Sequence, residues 1–287
     1  MPRTEWQSLR EITIAAPPEL TQRAIVDYLD HETAEIDALI IDLKTAGHLL
    51  GEHRRSFVES AIAKATAPLA PLKRFGHLQT GLTLGSTYPG EETQEYPYLR
   101  VANVQVGMVD TTDMKTITVP SRVAEATTLR TGDVLLTEGG DRDKLGRGAL
   151  WEGSAERTLH QNHVFAFRCN SLLMPEYLVY ALEASHARRY FDVTARQSTN
   201  LASTNSSIVL AFPLSVPNLD EQRDAVRTLA VKQNILESEQ ADLTRAITLA
   251  KERRAALITA AVTGQIDVTA TRRPAAEQLE DDIKELT

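Results

Sequence analysis

A chain of 287 residues with 42% apolar and 24% charged side chains has the size and balance of one or two folded domains, which excludes a disordered tail, a collagen-like chain and a disulfide scaffold. Its one cysteine, Cys169, has no intrachain partner and fits a cytoplasmic setting, and no stretch approaches the roughly 20 apolar residues of a membrane helix. A net charge of −8 argues against a free-standing nucleic-acid binder, because neutralising phosphates takes a local excess of Lys and Arg.

Residues 1–16 lack the basic-then-apolar layout of a signal peptide. Residues 17–66 read as one long helix. Pro17 and Pro18 mark its start, since proline fits only the first helical turn. Leu29, Ile36, Leu43, Leu50 and Phe57 recur every seven positions, the period of a coiled-coil seam. The companion row, Val26, Thr33, Ile40, Gly47 and Arg54, is more polar, and polar seam positions select register at a cost in pairing strength.

A short Ala/Pro linker at 67–71 then changes the period. Residues 96–104, 133–136, 149–151 and 164–167 read as strands, punctuated by Gly107, Gly132, Gly139, Gly140, Gly146, Gly148 and Gly153. Residues 175 to about 190 read as a helix. The middle, 68–216, is a mixed α+β domain with 14 basic and 15 acidic residues, nearly neutral, whereas 1–67 carries a net −4 and 217–287 a net −3. DNA contact would therefore come from a local patch in the middle, helped by a partner.

Residues 217–266 read as a second long helix, and here the chain repeats itself. Shifted by 200 positions, Pro17, Gln22, Arg23, Val26, Leu29, Asp42, Leu43, Ala46, Leu49, Glu52, Arg54 and Ala61 meet identical residues without a gap. The seam continues as Leu229, Leu236, Leu243, Ala250 and Leu257. Two ordinary amphipathic core helices would also carry such patterns. The shared register favours pairing with each other, or with the same helices of a second copy. Pairing within the chain is expected to be antiparallel, because one helix leads into the middle domain and the other leads out.

Motifs for chemistry are missing. There is no G-x-x-x-x-G-K-[ST] and no G-x-S-x-G. His160-x-x-His163 lacks neighbouring carboxylate or thiol ligands, so a structural or hydrogen-bonding role is expected over a metal site, and Cys169 follows an apolar strand and reads as buried. What remains is a polar inventory on loops: Arg142, Lys144 and Arg147 in a Gly-rich stretch, Gln161 and Asn162 before a strand, and Arg196, Gln197, Ser198, Thr199 and Asn200 after the helix. Arg, Gln and Asn can pair bidentately with base edges, while Ser, Thr and Lys hold phosphates. The residues from Gln197 to Asn200 would equally serve as a turn.

Several stretches carry a family likeness: Tyr98-Leu99-Arg100-Val101-Ala102-Asn103-Val104, Leu129-Arg130-Thr131-Gly132-Asp133-Val134-Leu135-Leu136-Thr137, Leu145-Gly146-Arg147-Gly148-Ala149-Leu150-Trp151, Gln161-Asn162-His163-Val164, Gln197-Ser198-Thr199-Asn200-Leu201 and Pro217-Asn218-Leu219-Asp220-Glu221-Gln222-Arg223. In order and spacing, over nearly all of 5–268, they resemble the specificity subunits of type I restriction–modification enzymes. The resemblance implies an α+β chain: one mixed target recognition domain at 68–216, flanked by two long helices, 17–66 and 217–266, that pair as an antiparallel coiled coil. Residues 1–16 resemble the end of a preceding recognition domain, and 268–287 are expected to form a flexible tail. The family's pattern has a glycine before its Ser-x-Asn loop, where this chain has Arg196 followed by Gln197.

The implied function is non-catalytic recognition of double-stranded DNA in phage defence, directing methyltransferase and restriction subunits to a site. S-adenosylmethionine, ATP and Mg²⁺ would belong to those partners and none to this chain. A second specificity-type chain or a copy of this one is a further implied partner, and no membrane is involved. The alternative is an inactive or structural remnant that oligomerises through its helices.

Overall fold

The computed structural model describes residues 6, 10–11, 16–64, 67–140, 145–146, 148–154, 156–197, 202–268 and 275–285. It divides into two compact units, His53–Gln233 and Met1–Glu52 with Asn234–Thr287. In chain order come α1 (Glu19–Ala63), β1 (Leu69–Pro71), a 3-10 turn (Leu72–Arg74), β2 (Gly76–Thr80) and β3 (Thr93–Leu99). A second 3-10 turn (Val101–Asn103) leads to β4 (Lys115–Pro120), α2 (Ser121–Thr127), β5 (Val134–Thr137), β6 (Gly139–Gly140), β7 (Gly148–Leu150), β8 (Leu159–His160) and β9 (Val164–Cys169). Then follow α3 (Pro175–Glu183), α4 (Ser185–Thr194), β10 (Arg196–Gln197), β11 (Ala202–Ser203), α5 (Ser206–Ala211), β12 (Pro213–Ser215), α6 (Leu219–Val262) and α7 (Ala275–Lys284).

The unit His53–Gln233 is built on an antiparallel sheet in the order β2-β9-β5-β7. Both faces of this sheet are covered, which explains why β5 and β9 read as unbroken apolar runs. Side chains alternate across the sheet: Val134, Leu136, Phe165 and Phe167 join Tyr177, Leu178, Phe191 and Phe212 in one core, while Leu135, Val164 and Ala166 join Leu99, Ala149 and Trp151 in another. A buried fork fixes the register of β5 on β9, with Arg168 Nε and Nη2 each 2.7 Å from the Asp133 carboxylate. A second sheet, β4-β3-β8, pairs β3 antiparallel with β4 and parallel with β8. β1 and β12 form a two-stranded ladder in which Leu69 faces Ser215.

The helix expected from 175 to about 190 is broken in two. Ala184 is extended at φ −61°, ψ 152°, and the Ser185 amide that opens α4 donates to Glu59 Oε2 of α1 at 2.7 Å. A free N-terminal amide is thereby capped by a carboxylate from a distant element, which local sequence does not announce. β3 likewise ends at Leu99 rather than running to 104, because Asn103 Oδ1 takes the Arg100 amide at 2.9 Å and turns the chain.

In the other unit the two long helices lie antiparallel. Arg254 Nε meets Asp37 Oδ1 at 2.9 Å, and Gly47 stands across from Gln240 and Leu243, so the numbering rises on one helix as it falls on the other. Ile36, Ile40, Ala250 and Leu257 are buried together, with Leu29 packed beside them. Leu43, Leu50 and Leu243 are half-buried, while Leu236 is buried. Two of the seam residues lie in the first unit, where Phe57 is half-buried and Leu229 buried. Ile40, of the companion row, is buried more deeply than Leu43, as expected when a helix of 3.6 residues per turn drifts from a strict seven-residue row.

The segment expected as a flexible tail contains α7. Its residues Ala276, Leu279 and Ile283 recur at helical spacing and pack on Ile36, Ile40, Ala250 and Leu257, with Leu279 fully buried. Arg253 Nη2 adds a 2.7 Å hydrogen bond to Gln278 Oε1. The repeat itself is structural: Gln22 Nε2 donates to Pro17 O at 2.7 Å, and Gln222 Nε2 to Pro217 O at 2.8 Å.

Candidate nucleic-acid interface

Of the loop residues singled out in the sequence, the structure describes Arg196, Gln161, Asn162 and the backbone of Gln197, all in the unit His53–Gln233. β10 and β11 form a hairpin, Arg196 opposite Ser203 and Gln197 opposite Ala202. β11 continues the sheet onto β6, with Ala202 opposite Gly140 and Ser203 opposite Gly139. Gln197, Ala202 and Gly140 thus form one row across the three strands. The chain leaves this row toward 198 and toward 141. Arg142, Lys144, Arg147, Ser198, Thr199 and Asn200 lie outside the described residues, as does the side chain of Gln197. Gln197, Ala202 and Gly140, which border the stretches 198–201 and 141–144, stand on neighbouring strands about 4.8 Å apart.

The two faces of this small sheet differ. Ala202 is buried in the main core, whereas Arg196 and Ser203, on the alternate row, are exposed. Among the described residues the Arg196 side chain makes no hydrogen bond or ion pair. Leu145 is fully buried, and its carbonyl accepts from Arg188 Nη2 of α4. Gly146, at φ +61°, lies so close to the Phe191 ring that a Cβ would sit 2.4 Å from Cδ2, and only glycine satisfies both demands.

Gln161 and Asn162 occupy the turn between β8 and β9 and are half-buried. The main chain of this turn is fully tied down. Gln161 N donates to Leu99 O at 2.9 Å, Asn162 N to Leu82 O at 2.8 Å and Val164 N to Gln161 O at 2.8 Å. A Cβ on Gly81 would lie 2.2 Å from His160 O and 2.4 Å from Gln161 O, so this close approach requires glycine. Glu138 connects the turn to the three-stranded sheet: its N donates to His163 O at 2.9 Å, and its O accepts from Thr204 N at 2.7 Å.

The two histidines of the His160-x-x-His163 pair do different things. His160 is fully buried, with Nδ1 2.6 Å from Val164 O. Burial pushes its pKa down to about 4, which keeps the ring neutral. His163 is half-exposed, and its Nδ1 lies 2.6 Å from Glu138 Oε2. Sequence reasoning named the motif but could not see this pair, whose members are 25 positions apart. Among the described residues no three His, Cys, Asp or Glu side chains converge as metal ligands, and burial pushes the Cys169 thiol up to about 12. Among the described residues no helix is long and apolar enough to cross a membrane.

No family model matches the chain. Over 143 residues it is 24% identical to a Methanocaldococcus jannaschii protein bearing the name type I restriction enzyme MjaX specificity subunit, covering 49% of this chain and 34% of that protein. Over 229 residues it is 22% identical to the type I restriction enzyme EcoKI specificity subunit of Escherichia coli K12, covering 75% of this chain and 49% of that one. The chain thus matches between a third and half of the length of these relatives. In fold it matches a chain from a solved structure of complex assembly and conformational transition in a type I R-M system, with TM-score 0.58 and 17% identity over 87% of this chain and 60% of that chain. The chain is therefore similar in sequence to type I specificity subunits, and it shares the α+β architecture with long N- and C-terminal helices.

Proposed function

We propose that this chain is the DNA-recognition subunit of a type I restriction–modification complex. It reads double-stranded DNA and directs methyltransferase and restriction subunits to the site, without performing the chemistry itself. The observation that carries this reading is the gathering of Arg196, the loop ends at Gly140, Gln197 and Ala202, and the 160–163 turn on one end of one unit. A short hairpin on a rigid sheet is suited to presenting an Arg fork and amide side chains to base edges. S-adenosylmethionine, ATP and Mg²⁺ belong on the partner subunits in this reading.

The net charge of −8 sets the expected behaviour. DNA binding by the chain alone is weak and falls steeply with salt, and it tightens when methyltransferase subunits contribute basic surface. Filter binding of duplex DNA to the full chain across a salt series, with and without those subunits, measures this. Arg196→Ala lowers affinity while leaving the thermal melt unchanged. If neither preparation binds duplex DNA at any salt, recognition is refuted and the oligomerising-remnant alternative takes its place.

A further inference from the structure

We infer that His163, oriented by Glu138, reads a base on this same surface, offering its Nε2 as a hydrogen-bond acceptor to an exocyclic amine in the major groove. The inference rests on the DNA-recognition reading and names a residue of that site.

The orientation follows from the chemistry of the pair. A carboxylate only accepts hydrogen bonds, so the 2.6 Å contact between His163 Nδ1 and Glu138 Oε2 puts the ring proton on Nδ1. With that single proton on Nδ1, Nε2 carries the lone pair. Adenine N6 and cytosine N4 are the donors that base pairs present in the major groove. The side chain of Glu138 is 26% exposed and that of His163 52%, so the carboxylate sits behind the ring and the ring stands toward solvent.

The platform is rigid. His163 O is bonded to Glu138 N, and the residues before it are bonded to Leu82 and Leu99. Base reading needs an acceptor fixed in place beforehand, and an imidazole with one nitrogen held costs little further ordering on binding. The position also fits. Glu138 is followed directly by Gly139, which pairs with Ser203, and Ser203 pairs with Arg196. His160 provides the contrast, because its ring is fully buried and bound to its own chain at Val164 O. It supports the turn, whereas His163 is presented by it.

The test selects a randomised duplex DNA library on the full chain assembled with its methyltransferase subunits, as the parent and as His163→Ala, His163→Gln, Glu138→Ala and Arg196→Ala, with a thermal melt of each chain. His163→Ala, melting as the parent does, is expected to lose roughly five- to hundredfold preference at one base pair and keep the rest of the motif. His163→Gln, which retains an acceptor, recovers part of that preference, and Glu138→Ala weakens the same position. An amine-free base analogue at that position weakens the parent by a similar factor and leaves His163→Ala indifferent. The inference falls alone if Arg196→Ala alters the selected motif while His163→Ala and His163→Gln select it at full strength. It also falls alone if His163→Ala weakens all sequences equally, the mark of a phosphate contact. If the parent enriches no motif at all, the recognition reading falls and the inference with it.

Discussion

Arg54 near the end of α1 grips Glu183 at the end of α3 through both guanidinium nitrogens, with Nη1 2.6 Å and Nη2 3.0 Å from the two carboxylate oxygens. The Glu183 side chain is 9% exposed, so this is a bidentate, largely desolvated pair. Arg254, its counterpart 200 positions on, pairs instead with Asp37. The same residue in the two copies of the repeat therefore ties a helix to a folded domain in one place and to another helix in the other. Arg54→Ala strands a nearly buried carboxylate and is expected to cost about 3 kcal/mol. Adding Glu183→Gln should return part of the loss, and urea unfolding of the two single variants and the double variant measures the coupling.

Gly47 is a weak point within the helix pair. A Cβ there would meet Gln240 at 3.5 Å and Leu243 Cδ1 at 3.8 Å, which is ordinary contact. Gly47→Ala should stabilise the chain by up to about 1 kcal/mol, since glycine is the costlier residue within a helix. Ile36→Ala, at a fully buried position, should cost about 2–5 kcal/mol. Thermal melts followed by circular dichroism distinguish the opposite signs. Equal melts for both variants would show that the stripe through Ile36 is no seam.

The long helices were legible because a seven-residue row and an ungapped repeat are both linear patterns. β5 and β9 were legible as apolar runs. β2 was not, because Gly76, His77 and Gln79 interrupt any alternation and the strand is defined by its pairing with β9. α7 was hidden in an acidic stretch, where Ala276, Leu279 and Ile283 are too few to signal a helix until a surface exists to receive them. In the candidate site, Arg196 was proposed from its chemistry alone. Glu138 could not be, since its role comes from a sheet that brings it to His163 and Thr204 across sequence.

His160 makes the fold acid-sensitive. Buried and neutral, it titrates near 4 in the folded chain against an ordinary 6.5. Between those values the unfolded chain binds the extra proton, so stability rises with pH there. The full contribution is present above about 6.5 and is lost progressively as pH falls toward 4, a change on the order of 3 kcal/mol. Urea unfolding at pH 7, 5.5 and 4.5 should show this decline, and His160→Gln should flatten it.

Gly81 supports the turn that carries Gln161, Asn162 and His163. Because an added Cβ would overlap His160 O, Gly81→Ala must displace backbone and should cost about 2–3 kcal/mol. The diagnostic readout is DNA selection at a temperature where the variant remains folded. Preference should broaden at the positions read from the turn, while affinity from Arg196 persists. Unchanged preference and an unchanged melt would mean that the turn yields without consequence.

The ladder of Leu69 on Ser215 and Pro71 on Pro213 brings the first and last residues of the middle domain onto one rung. To the helices, everything between is a single closed excursion whose two feet stand about 5 Å apart. Such an excursion can be replaced wholesale, or altered far from its feet, without changing where either helix begins. On the DNA-recognition reading, whatever the helices bind and whatever base preference the excursion has could therefore diverge independently, and a foreign cassette spliced in at these feet would bring a new target to an old chassis.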